Sequence, residues 1–219
     1  MAQPVAVKIP AGRATIEGDL TIPAAAAGFV VYAHGSGSSR FSSRHQRVAQ
    51  VLQNGRYATL LLGLLTQHED QIDRDTGEFR FDVDRLGLRV MAAIDWAATH
   101  PVVCRLPVAC FGASTVAAAA LIAAAERPER VRAVISRGGR PDLAGYALPR
   151  IKAPTLFIVS VADQPLLELN RAAMRRMRAE VQLETVTGAI GMFEEPGALE
   201  LVAQMAVGWC LKHLQNPPT

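Results

Sequence analysis

Pro107-Val108-Ala109-Cys110-Phe111-Gly112-Ala113-Ser114-Thr115, running on into Val116 to Ala125, is the stretch that decides how this chain folds. Pro107 to Phe111 has the length and apolar character of a buried strand, and the alanine-rich run after Thr115 is long enough for a helix. Only Gly112, Ala113 and Ser114 remain to turn the chain between them. So sharp a turn accepts only small residues beside the serine and lifts its hydroxyl above the sheet. The N–H of Thr115 then stands at the helix start, where unpaired donors and the helix dipole favour a developing negative charge. Ser114 is therefore the candidate nucleophile and Thr115 a candidate oxyanion donor. Serine also caps helices, and that use of Ser114 stays open on these grounds.

On both sides of this unit, apolar runs of strand length alternate with segments of helical period. That is the pattern of an α/β fold with a doubly wound, mostly parallel sheet covered by helices on both faces. Val5 to Ile9 and Ala14 to Ile22 read as an antiparallel pair at the sheet edge. Phe29 to Ala33, Ala58 to Leu65, Val131 to Ser136, Thr155 to Val161 and Val181 to Thr187 read as further strands. Helices are expected around Val48 to Leu52, from an N-cap at Asp82 through Ala97, along Leu166, Leu169, Ala173 and Met177, and from Val202 to Cys210. Thr66 to Arg80 reads as a long polar loop. Arg171, Arg175, Arg176 and Arg178 read as a solvated face.

The chain has 219 residues, half of them hydrophobic, which suits one domain over residues 1–219 with one sizeable core. Its formal net charge of +3 is too small and too dispersed for a nucleic-acid-binding face. No run approaches the roughly 20 apolar residues of a membrane span, and Met1 to Pro10 lacks the apolar centre of a signal peptide. The expectation is a cytoplasmic protein without nucleic-acid or membrane partners, a monomer or weak homodimer. Cys104, Cys110 and Cys210 lack the spacing of a metal site and read as free thiols. No metal or cofactor is expected.

Chain order in such folds puts the acid after a later strand and the base after the last one. Asp163, after Leu156 to Val161, fits the acid, although it also suits an N-cap. The glycine-rich His34-Gly35-Ser36-Gly37-Ser38-Ser39 follows the Phe29 strand, and Ser36 N–H is the natural second oxyanion donor. After the last strand comes Gly188-Ala189-Ile190-Gly191-Met192-Phe193, which contains no histidine. His68, on the polar segment after Leu65, is the best surrogate base, with Glu69 or Asp70 to orient its ring. Arg137 and Arg140 either bind a substrate carboxylate or pair with Asp142.

Four stretches carry a family resemblance: Ala33-His34-Gly35-Ser36-Gly37-Ser38-Ser39-Arg40, Phe111-Gly112-Ala113-Ser114-Thr115, Ser136-Arg137-Gly138-Gly139-Arg140-Pro141-Asp142-Leu143, and Phe193-Glu194-Glu195-Pro196-Gly197-Ala198-Leu199. With them the chain resembles, over essentially its full length, the dienelactone hydrolase-like branch of the α/β-hydrolases. The resemblance implies an eight-stranded sheet, a nucleophile at Ser114, a triad acid at Asp163 and carboxylic ester or lactone substrates. It also implies His where Gly191 stands, Gly where Val116 stands, Asp where Gly63 stands, and glycine-rich sequence near Ser160 and Val161. These departures share the rim where a doubly wound sheet binds its ligand, a clustering that points to a redesigned, engineered rim rather than drift.

Loss of a triad histidine typically costs about 10⁶ in kcat. The expected activity is therefore weak hydrolysis of small activated esters, with aryl esters favoured over charged lactones. His34, Gly63, Val116, Val161, Ile190, Gly191 and Met192 are the expected pocket-lining residues. The alternative is a scaffold without turnover that binds an apolar ligand or is acylated once.

Overall fold

The structure is a computed structural model, and it describes residues 2–35, 40–189, 193 and 195–214. Eight strands form one sheet: β1 (Val5–Ala11), β2 (Ala14–Thr21), β3 (Gly28–His34), β4 (Tyr57–Gly63), β5 (Val108–Ala113), β6 (Val131–Arg137), β7 (Thr155–Ser160) and β8 (Val181–Val186). Their spatial order is β1-β2-β4-β3-β5-β6-β7-β8. β1 and β2 pair antiparallel, β2 meets β4 antiparallel, and every pairing from β4 to β8 is parallel. This is the expected doubly wound α/β arrangement.

The helices are α1 (Ser43–Asn54), α2 (Gln67–Thr76), α3 (Val83–Thr99), α4 (Thr115–Glu126), α5 (Gln164–Met174) and α6 (Ala198–Leu214). Side chains of α1 and α6 such as Val48, Leu52, Val202 and Trp209 pack on Tyr32, Phe111 and Ile158, forming the core on one face. Leu86, Ile94, Leu121 and Ile122 of α3 and α4 pack on Val31, Leu62 and Cys110, forming the core on the other. α4 lies deepest, with Val116 to Ala125 all buried. Its run of alanines suits that place, because a helix buried on all sides needs small side chains to approach both the sheet and α3.

β3 is the strand at which the winding reverses, since β4 follows it on one side and β5 on the other. In such sheets ligands bind outside the carboxyl ends of the strands at that reversal. His34 ends β3, Gly63 ends β4, and Ser114 follows β5, so all three reach the same edge of the sheet.

Two expectations need correction. The segment expected to be a loop after Thr66 contains α2. Thr66 and Glu69 form a reciprocal capping box there, and the αL residue Gly77 ends the helix. The buried Asp73 carboxylate then accepts from the N–H groups of Phe79 and Arg80 and pairs with the Arg80 guanidinium, pinning the chain that follows. The α5 stripe is also shifted: Leu167, Asn170 and Ala173 are the buried set, whereas Leu166 and Leu169 are half-buried. Asn170 tolerates burial because its amide donates to the carbonyls of Gly139 and Leu166. Arg171, Arg175, Arg176 and Arg178 are exposed, as expected of a solvated face. No helix among the described residues is long and apolar enough to cross a membrane.

Candidate active site

Ser114 stands between β5 and α4 with φ 53° and ψ −131°, backbone angles that a residue with a side chain rarely adopts. Strain of this kind costs on the order of 1–3 kcal/mol and persists only where the surroundings enforce it. Here the backbone is held on both sides. Ser114 N–H donates to the Arg137 carbonyl at 3.3 Å, while the Ser114 carbonyl accepts from the N–H groups of Ala117 at 3.2 Å and Arg140 at 3.1 Å. Gly112 makes the turn sterically feasible: a Cβ there would lie 2.6 Å from the Val116 carbonyl oxygen and 2.8 Å from Ala117 N and Cα.

The Ser114 side chain is exposed and makes no capping hydrogen bond to α4. The helix-cap use of the serine is thereby removed, and its hydroxyl faces solvent at the sheet edge. Thr115 is the first residue of α4, where its N–H has no partner within the helix. Ser36, Ile190, Gly191 and Met192 lie outside the described residues.

Asp163 follows β7 and is half-buried. Its Oδ1 accepts from Leu166 N–H at 3.0 Å, so it caps α5. One carboxylate oxygen is therefore occupied by the cap. Val161 is exposed at the same end of β7, whereas Val116 is buried, with its Cγ2 2.9 Å from where a Cβ on Gly35 would stand.

His34 and Gly63 are brought together as register partners at the ends of β3 and β4. They line a cavity of about 360 Å³ with Glu17, Arg40, Phe41, Leu64 and Asp70. The His34 ring stacks on His45 of α1 with centroids 5.3 Å apart. Burial and then the neighbouring His45 pull its pKa down to about 4, against a smaller raising effect of the Gly35 backbone.

His68 is exposed on the first turn of α2 and lines a different cavity, with Arg13 and Ala14 of the β1–β2 hairpin and Arg85 and Leu88 of α3. No described contact joins it to Ser114. Its expected orienters are engaged elsewhere: Glu69 takes a two-pronged ion pair from the buried Arg89 and caps α2, and Asp70 pairs with Arg74. Burial pushes the Glu69 pKa up, but the Arg89 and Thr66 hydrogen bonds outweigh it and hold the group at about 2. The other histidines also have neighbours of their own. His100 Nδ1 accepts from the N–H groups of Val102 and Val103, and His213 packs on Trp209.

Arg140 pairs with Asp142 at 2.7 Å, which settles that alternative in favour of an internal pair. Arg137 is buried beside Tyr32. Cys110 is buried as expected, and desolvation pushes its thiol up to about 12. Two features escaped the sequence reading: the start of α2 and the Glu69–Arg89 pair. The first had a legible signal in Thr66-x-x-Glu69, a capping-box spacing. The second joins residues twenty apart on two helices and had none.

No protein-family model matches the chain. A dienelactone hydrolase from Anabaena variabilis, known from its crystal structure, is 49% identical, with 97% of this chain and 99% of that one covered and a TM-score of 0.94. Est1E from Butyrivibrio proteoclasticus superposes with a TM-score of 0.78 over 94% of this chain and 98% of its own, at 14% identity, a likeness of fold alone. Two Mycobacterium tuberculosis proteins provisionally named phosphoribosyl transferases are 48% identical over 211 residues, 96% of this chain. The chain spans about half the length of those curated relatives, 47%.

Proposed function

We propose, since the chain belongs to the dienelactone hydrolase family of α/β-hydrolases, that it cleaves small activated carboxylic esters or lactones through an acyl-enzyme at Ser114. The observation that carries this reading is the exposed serine in a strained turn at a helix N-terminus, with its side chain free of any capping role. Ser114 Oγ forms a bond to the substrate carbonyl carbon, and the developing oxyanion faces the Thr115 N–H, with Ser36 as the second donor. With Ser114 exposed, the Oγ proton passes through solvent water to the departing alcohol as the ester bond breaks. Water then attacks the acyl group and returns the proton to Ser114. Asp163, at the end of β7, is the acid of this machinery, keeping its other oxygen for α5.

Deacylation is the slow step in this reading. Water is a poor nucleophile without a base, Gly191 offers none, and no histidine among the described residues is joined to Ser114. That observation also favours a second reading, in which the serine is acylated once and turnover stops. Nothing in the described residues favours transfer of a phosphoribosyl group, the activity in the name of the mycobacterial relatives.

Stopped-flow cleavage of p-nitrophenyl acetate tests the proposal. A burst of one nitrophenol per chain followed by slow steady release is the expected result, with Gly191→His raising the steady rate. A burst without any steady release supports the single acylation. Absence of both burst and release refutes acyl chemistry at Ser114.

A further inference from the structure

The cavity that His68 lines has a volume of about 560 Å³, and all of its wall belongs to the described residues. Three elements build it: the turn between β1 and β2, the start of α2, and one face of α3. It has no residue in common with the elbow. β2 is three strand spacings from β5 in the sheet order, which sets the cavity ~14 Å from Ser114 along the sheet edge.

Three arginines and one acidic residue line the space. The acid, Glu69, is committed to the buried Arg89, whose Nη2 donates to its Oε1 at 2.5 Å. Held at about 2, Glu69 stays ionised at neutral pH and goes on balancing Arg89. Arg85 contacts Asp82 at 3.0 Å and lies 3.8 Å from Glu69, the second distance being too long for a hydrogen bond. N–H donors of its guanidinium are therefore left over. Arg13, exposed in the β1–β2 turn, has no hydrogen bond or ion pair among the described residues. With Arg89 balanced by Glu69 and Arg85 by Asp82, one positive charge remains unmatched.

The rest of the wall is apolar. Leu88 of α3 is 64% exposed, and Ala11 and Ala14 face it across the cavity from either side of the turn. Covering that leucine gains the free energy of removing apolar surface from water. A single carboxylate neutralises the unmatched charge, and its two oxygens suit the planar fork of a guanidinium. A dianion would exceed the available charge and meet Glu69, while a neutral molecule would leave Arg13 as it is.

We propose that this cavity binds a monocarboxylate carried on an apolar frame, with the carboxylate between Arg13 and Arg85 and the frame against Leu88, at a site separate from Ser114. The acid half of a cleaved ester is a molecule of this class. The binding itself does not rest on the hydrolase reading.

The test uses the full chain with ¹⁵N-labelled histidine and three probes: naphthoate, the uncharged naphthylmethanol, and inorganic phosphate. Naphthoate is expected to shift the His68 ring resonances, assigned by their loss in His68→Gln, and to bind about tenfold tighter than the alcohol. Arg13→Gln and Leu88→Gln replace exposed side chains, so both should keep the fold by circular dichroism, and each should weaken naphthoate about tenfold. Ser114→Ala should bind naphthoate as the parent chain does. Equal binding of the alcohol, unshifted His68 resonances, parent-like affinity in either Arg13→Gln or Leu88→Gln, or displacement of naphthoate by equimolar phosphate would each overturn the site. Naphthoate binding lost in Ser114→Ala would also overturn it, by moving the carboxylate to the elbow. A chain that binds naphthoate as described but takes no fluorophosphonate label would count against the hydrolase reading alone.

Discussion

Gly112→Ala bears directly on the elbow, because the added methyl group meets backbone rather than a side chain that can rotate away. Its Cβ would lie 2.6 Å from the Val116 carbonyl oxygen and 2.8 Å from Ala117 N and Cα, whereas ordinary contacts begin near 3.4 Å. The first turn of α4 must therefore retreat by about 0.8 Å, the difference between the two distances. α4 has nowhere to go, since residues 116–125 are buried between the sheet and α3. Overpacking of this kind costs about 1–3 kcal/mol, and an immovable backbone neighbour puts this site at the upper end, ~3 kcal/mol. With a urea slope of about 2–3 kcal/mol per molar, the unfolding midpoint should fall by about 1 M. Gly63→Ala is the control: its Cβ meets the His34 ring at 3.4 Å and the Glu17 carbonyl oxygen at 3.6 Å, both ordinary contacts, and its midpoint should stay within about 0.2 M of the parent. Urea unfolding followed by far-ultraviolet circular dichroism reads both. If Gly112→Ala unfolds at the parent midpoint, the strand and helix do not approach as described and the strained Ser114 turn loses its cause.

Two further substitutions separate structural from chemical roles. Glu69 is held at about 2, below its ordinary value of 4.5, so its contribution to stability is fully present above about pH 4.5 and is lost as pH falls towards 2. A shift of that size corresponds to about 3 kcal/mol at most. Urea midpoints measured between about pH 6 and about pH 3 should show this loss in the parent and a flatter profile in Glu69→Gln; matching profiles would refute the role given to the Arg89 pair. Asp163→Ala should lose the α5 cap and about 1 kcal/mol of stability. Asp163→Asn keeps an acceptor for Leu166 N–H and should cancel the gain in turnover that Gly191→His brings, with stability nearly unchanged; a gain that survives Asp163→Asn would remove Asp163 from the chemistry.

The elbow was legible because its information is local: a strand, three small residues and an alanine run permit few other structures. The sheet was legible for the same reason, since each buried strand of a parallel sheet is a continuous apolar run. α2 was missed because it is polar nearly throughout, with Asp73 as its one buried side chain, and hydrophobic period is silent for such a helix. The α5 stripe was misplaced because a reading by hydropathy passes over Asn170, whose burial depends on the distant Gly139 carbonyl. His34 and Gly63 were legible as strand-end residues, but their direct pairing was not, because it follows from the β3–β4 register, and the pairing of β2 with β4 that brings Glu17 alongside is equally non-local.

Intact-mass measurement after treatment with a fluorophosphonate asks most directly whether the Ser114 hydroxyl is a nucleophile. One adduct per folded chain is expected, absent in Ser114→Ala. A folded parent chain that takes up no adduct, or a Ser114→Ala chain that still takes one up, would contradict it.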